Sequence, residues 1–110
     1  MLVAFSVAPS GGSTGSDGSV SEAVAAAVRV VRSSGLPNST DAMFTTVEGD
    51  WDACMDVVRR AVEAVAPYGT RVSLVLKADI RPGHEGELRG KVERVEALLA
   101  DADTGGGPGA

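Results

Sequence analysis

From Val72 to Ile80 the chain alternates without a break. Val72, Leu74, Leu76, Ala78 and Ile80 fall on one side, and Ser73, Val75, Lys77 and Asp79 on the other. Only extended backbone has a side-chain period of two, so this segment is a strand with one face turned to a core. One strand has no independent stability, so the rest of the chain must supply its partners. Leu2 to Ala8 is a short apolar run ended by Pro9, a strand apolar on both faces. Residues 38 to 48 read as two short strands with a turn near Asp41 to Phe44, although Asn38-Ser39-Thr40-Asp41 has poor strand propensity.

Helical periods separate these strands. Ser10 to Ser19 is a Gly/Ser loop, and Ser19-Val20-Ser21-Glu22 has the form of a capping box. The first helix follows, with Val20, Val24, Ala27, Val28 and Val31 on its expected inner face. Gly35 ends it, with Pro37 just beyond. Gly49 breaks the strand that precedes the second helix, and Asp50 is its expected cap. Cys54, Val58, Ala61, Val62 and Val65 are predicted to face inward there; Asp52, Asp56, Arg59, Arg60 and Glu63 face out. Pro67 and Gly69 stop it. A third helix carries Leu88, Val92, Val95 and Leu99 inward, with Gly86 and Gly90 weakening its first turn.

The order is β-α-β-β-α-β plus a C-terminal helix. It predicts an α+β, ferredoxin-like sandwich: a four-stranded antiparallel sheet with two helices on one face. At 110 residues this is one domain, expected over 1–102, with a disordered Gly-rich tail at 103–110. The other sheet face keeps Leu2, Ala4 and Ala8 if Val3, Phe5 and Val7 meet the helices. Such a patch calls for a partner, so a homo-oligomer, dimer or tetramer, is expected.

Charge and composition exclude several function classes. A net charge of -5 argues against affinity for nucleic acid or an anionic membrane, because phosphate contacts need a basic surface. Phe5 and Phe44 are the only strand aromatics, too few for an RNA-recognition sheet. No apolar run approaches the ~20 residues of a membrane span. Met1-Leu2-Val3-Ala4-Phe5 lacks the basic flank of a signal peptide, so a cytoplasmic protein is expected. His84, the single histidine, stands with Glu85 in a loop and falls short of a metal-site spacing. Cys54, the single cysteine, has no histidine at a useful spacing and reads as a packed thiol. The Gly/Ser loop lacks the lysine of a phosphate loop. No acid–base pair stands out, which disfavours an enzyme.

Phe5-Ser6-Val7-Ala8-Pro9, the first helix, Met43-Phe44-Thr45-Thr46-Val47-Glu48-Gly49-Asp50-Trp51-Asp52, Leu74 to Asp79 and Lys91 to Leu99 together carry a family likeness. In their order and spacing the chain resembles the small thiamine-binding, YkoF-like proteins over nearly its whole length. The resemblance implies a ferredoxin-like fold, assembly through sheet faces or edges, and binding of thiamine or its hydroxymethylpyrimidine half without a further cofactor. By that resemblance Ser6, Thr45 and Glu48 fall at a serine, a threonine and an acidic position of the family, and Lys77 and Asp79 at a lysine and an aspartate. Phe44 stands where the family has a small residue, and Ile80 where it often has a second aspartate.

Thiamine joins an aminopyrimidine to a cationic thiazolium. Its site needs short hydroxyls at the pyrimidine edge, an apolar face and nearby negative charge. Ser6 and Thr45 are the candidate hydroxyls, Met43 or Phe44 the candidate face, and Glu48 the candidate charge. Parity places Met43, Thr45 and Val47 on one face of their strand and Thr46 and Glu48 on the other. The structural readings of the same residues are plain: threonines that favour strands, a serine tolerated beside a neighbouring strand, and an edge glutamate near a helix N-terminus. The expected function is a non-catalytic binding protein for thiamine or hydroxymethylpyrimidine. The alternative is an assembly or regulatory module without a small ligand.

Overall fold

The computed structural model describes residues 1–11 and 17–105. Its elements are β1 (Leu2–Ser10), α1 (Asp17–Ser33), β2 (Asn38–Thr40), β3 (Thr45–Glu48), α2 (Trp51–Val65), a 3-10 turn at Ala66–Tyr68, β4 (Arg71–Asp79) and α3 (Glu87–Gly105). The strands form one sheet in the order β2-β3-β1-β4, with every neighbouring pair antiparallel. This is the expected ferredoxin-like arrangement, in which two β-α-β units interlock so that β1 and β3 become the central strands.

β1 is the spine. Val3 pairs with Val47 and Ala78, and Phe5 with Thr45 and Leu76, so these residues share the face that the helices cover. Val3, Phe5 and Val7 are buried there with Val47 of β3. The alternate residues Leu2, Ala4, Ser6 and Ala8 lie on the opposite, open face with Thr46, Ser73, Val75 and Lys77. β1 runs two residues past the expected stop at Ala8, through Pro9 to Ser10. Pro9 lies beyond the last residue of β1 that pairs with β3, where a missing N–H is tolerated.

The two covering helices pack on each other and on the sheet. In α1 the buried positions are Ala23, Ala27 and Val31. Of the expected face, Ala27 and Val31 are buried and Val28 is half-buried, but Val20 and Val24 are exposed, so the face is turned toward Ala23. Alanine allows close approach of α1 to its neighbours, and the bulkier valines are left at the rim. α1 starts at Asp17, so the Ser19 capping box does not mark its first turn, and the Ser19 side chain lies outside the described residues. Gly35, at φ 80°, adopts the left-handed conformation that ends the helix. In α2 the Asp50 carboxylate accepts from the Ala53 amide at 2.8 Å, as expected of the cap. Cys54, Val57, Val58, Ala61 and Val65 are buried, with Val57 replacing Val62 in the expected set. Gly69, past the 3-10 turn, touches β1: a Cβ there would stand 2.6 Å from the Ser10 carbonyl oxygen.

α3 departs most from expectation. Val92, Val95, Leu98 and Leu99 are 57%, 56%, 69% and 58% exposed, so most of the stripe expected to face a core is left uncovered by the described residues. α3 is held to the body by its first turns, and it continues through Gly105, three residues into the expected tail. Residues 106–110 of that tail lie outside the described residues. No helix among the described residues is long and apolar enough to cross a membrane. The sheet edges are unequal: β2 has 3 residues and β4 has 9.

Candidate functional site

The turn between β2 and β3 is built by one side chain. Asp41 Oδ1 accepts from the amides of Met43 and Phe44, both at 2.8 Å. The Asp41 amide donates to the Phe44 carbonyl at 2.9 Å, closing the turn. Donation from the Phe44 and Met43 amides holds the Asp41 carboxyl below the usual carboxylate range. A carboxylate is therefore fixed, ionised, at the tip of the hairpin.

That turn forms one wall of a cleft of about 220 Å³ between the hairpin, β1 and α1. Buried Phe5, Val7 and Ala27 give it an apolar floor, and Asp41, Phe44 and Thr45 also line it. Thr45 lies on the helix-covered face beside Phe5, and its hydroxyl is 3.4 Å from that of Thr40 on the neighbouring strand. Met43 is exposed at the rim, and Phe44 is half-buried in the wall. Ser6 also borders the cleft, but the β1–β4 register pairs it with Val75 on the open face. Strand parity therefore points the side chains of Ser6 and Thr45 to opposite faces of the sheet.

Glu48 is elsewhere. It is 9% exposed on the open face, and its carboxylate accepts from the Glu87 amide at 2.8 Å and from the Leu88 amide at 3.3 Å. Both oxygens are engaged with free N–H groups of the first turn of α3, where the helix dipole favours negative charge. The expectation placed Glu48 beside the N-terminus of α2; the helix it meets is α3. Asp79 also holds α3, through an ion pair with Lys91, whereas Lys77 makes no ion pair among the described residues. Arg94 bonds Glu87 at 2.8 Å and holds that carboxyl below its ordinary range.

A second, larger cleft of about 740 Å³ opens at the end of the sheet. Met1, Leu36 and Ile80 line it, with Asp50, Trp51 and the 81–86 loop. Trp51 is 55% exposed there, and Ile80 lies just beyond the end of β4. The expected residues thus divide between two places: Ser6, Met43 and Thr45 border the smaller cleft, and Glu48 borders the larger. Sequence reasoning missed Asp41 and Trp51. Asp41 had a legible signal, an aspartate opening a predicted turn; Trp51 had none, because a tryptophan opening a helix is equally suited to packing.

The chain matches the family model described as "Thiamine-binding protein" over residues 3–96. It is 56% identical over 100 residues to a UPF0045 protein of Mycobacterium bovis, covering 90% of this chain and 94% of that one. Among solved structures it is similar to a DUF77 domain from Bacillus cereus, with 34% identity and a TM-score of 0.73, covering 84% of this chain and 86% of that one. It is also similar to a Thermotoga maritima protein described in terms of thiamine biosynthesis and salvage, with 26% identity and a TM-score of 0.68, over 84% and 97% of the two chains. By fold, by sequence and over nearly its full length, the chain belongs to the thiamine-binding protein family.

Proposed function

We propose that this protein is a non-catalytic binding protein for hydroxymethylpyrimidine or the pyrimidine half of thiamine, held in the cleft beside Met43 and Thr45. One observation carries the reading within the family: Asp41, Thr45 and Phe44, which bear an ionised carboxylate, a hydroxyl and an aromatic ring, all line one apolar-floored cleft. At about 220 Å³ the cleft is below the roughly 300–1,000 Å³ of drug-sized sites, which suits one ring better than two. In this reading Thr45 bonds the pyrimidine edge, Met43 and Phe44 cover its face, and Asp41 takes the role of negative charge first given to Glu48. Ser6 contributes from the strand rather than through its hydroxyl.

A second reading rests on Trp51. Its exposed ring at the larger cleft, with Asp50 beside it, is a platform for a flat cationic ligand, and the larger volume suits both rings of thiamine.

Calorimetry with hydroxymethylpyrimidine and with thiamine tests both. Thr45→Val should weaken binding by roughly ten- to hundredfold, the worth of one hydrogen bond to a buried ligand. Asp41→Asn keeps the Oδ1 acceptor of the turn and should weaken thiamine more than the uncharged pyrimidine alcohol. Loss of binding in Trp51→Ala, with Thr45→Val unaffected, moves the ligand to the larger cleft. Binding gained only in Phe44→Gly identifies Phe44 as a plug. Absence of heat with either ligand, for the natural chain and for Phe44→Gly, leaves an assembly module without a small ligand as the better reading.

A further inference from the structure

The larger cleft has two walls of different build. Met1, Leu36 and Trp51 stand at the ends of β1, α1 and α2, the elements that bury the core. The opposite wall is the 81–86 loop. Between residues 80 and 101 only Glu87 is buried, so no apolar core holds that stretch. Gly83 and Gly86 give the loop two left-handed bends, at φ 80° and 70°, and nothing lies within 4 Å of where either Cβ would stand. What fixes the wall is Glu48. Its residue borders the cleft, and its carboxylate takes the amides of Glu87 and Leu88, directly after the loop. The second tie, Asp79 to Lys91, joins side chains that are 43% and 46% exposed, where an ion pair contributes little. A loop and helix head with one buried anchor open at lower free energy than the core strands. When they open, the cleft loses a wall.

We propose that the 81–86 loop and the head of α3 form a movable wall, latched by Glu48, and that a flat heteroaromatic ring seated against Trp51 binds only the latched form. The inference rests on the second reading above, in which the cleft beside Trp51 takes such a ring. At about 740 Å³ the latched cleft is within the range of small-molecule sites, and Trp51 offers it an exposed ring face. A ligand that binds one of two forms draws the population to that form. By reciprocity, whatever opens the latch weakens the ligand by the same factor. The position of α3 then reports whether the cleft is filled.

Trp51 is the single tryptophan of the chain, so its emission reads the cleft directly. Titration of the full chain with thiamine should change that emission. Hydrogen exchange should slow at the Glu87 and Leu88 amides when thiamine is present, and Trp51→Ala should abolish the slowing. Glu87→Pro removes the amide that Glu48 holds at 2.8 Å, at a first helical position that suits proline, without altering a residue that lines the cleft. It should speed exchange at Leu88 and weaken thiamine by a matching factor, roughly tenfold where one copy in ten stays latched. Where circular dichroism shows that Glu87→Pro does not fold, Glu48→Gln, with one acceptor oxygen for two amides, should move both readouts the same way. An emission change with no slowing at Glu87 and Leu88 overturns the proposal. So does a Glu87→Pro chain that frees Leu88 yet binds thiamine as the natural chain does. An emission that thiamine leaves unchanged overturns it as well, while the Thr45 cleft is judged separately by calorimetry with hydroxymethylpyrimidine.

Discussion

Glu48 accepts the backbone N–H of Glu87 at 2.8 Å across 39 residues of sequence, and this bond ties the central sheet to the head of α3. Removing the carboxylate leaves the Glu87 and Leu88 amides without their partner. Glu48→Ala should therefore cost roughly 1–3 kcal/mol if the amides stay buried, and less if the first turn opens to water. Native-state hydrogen exchange should show the change first at Glu87 and Leu88, before the core strands. Uniform loss of protection across β1 and β4 would show that α3 supports the whole fold instead.

Acid should loosen the β2–β3 turn before it unfolds the sheet. The Asp41 carboxyl is depressed by the Phe44 and Met43 amides, so its contribution is present above the ordinary carboxylate pKa and is lost as pH falls through its lower folded value. The Met43 and Phe44 amides should lose protection in that acid range. Asp41→Asn, which cannot ionise, should remove the pH dependence at those two amides. Persistence of the same profile in Asp41→Asn would assign it to another group.

Gly69→Ala should destabilise through contact rather than through backbone preference. Its φ of -166° is open to any residue, but a Cβ would press to 2.6 Å on the Ser10 carbonyl oxygen and 3.0 Å on the Ser10 nitrogen. Neither atom can move without shifting the end of β1, and overpacking of this kind costs roughly 1–3 kcal/mol. Urea denaturation would measure it. Gly83→Ala makes no contact within 4 Å but stands at φ 80°, so its cost arises from conformation alone.

Cys54 should resist thiol reagents in the folded state. It is fully buried on α2, and burial pushes its thiol up, away from the reactive thiolate. Its labelling rate in native buffer should follow unfolding and rise with urea. Rapid labelling without urea would mean that α2 opens locally.

The strands and the two covering helices were legible because their patterns are redundant. Val72 to Ala78 alternates at every position, and Val3, Phe5 and Val7 meet it on the same face. The inner face of α1 was half right: Ala27 and Val31 are buried as expected, but valine outranks alanine as a core residue, so Val20 and Val24 were read inward where close packing selected Ala23. The inward reading of α3 failed for a different reason. An apolar helical stripe records that something covers it, and nothing in the sequence says whether the cover is in the same chain. At the candidate site, parity separated Thr45 from Glu48 correctly, but the β1–β3 register that sets Thr45 beside Phe5, and so on the opposite face from Ser6, is a long-range fact. Glu48 was read locally, as a charge before the cap of α2. Its partners, Glu87 and Leu88, lie almost 40 residues on, and no local pattern announces them.

The sheet ends in three residues on the β2 side and nine on the β4 side. A short border offers little backbone to an incoming strand; a long one is a template. Any misassembly by strand addition should therefore advance from β4 alone. The guards there are the charges of Arg71, Lys77 and Asp79, so neutralising them should raise the tendency to form fibrils, whereas uncharged β2 is protected by its shortness alone.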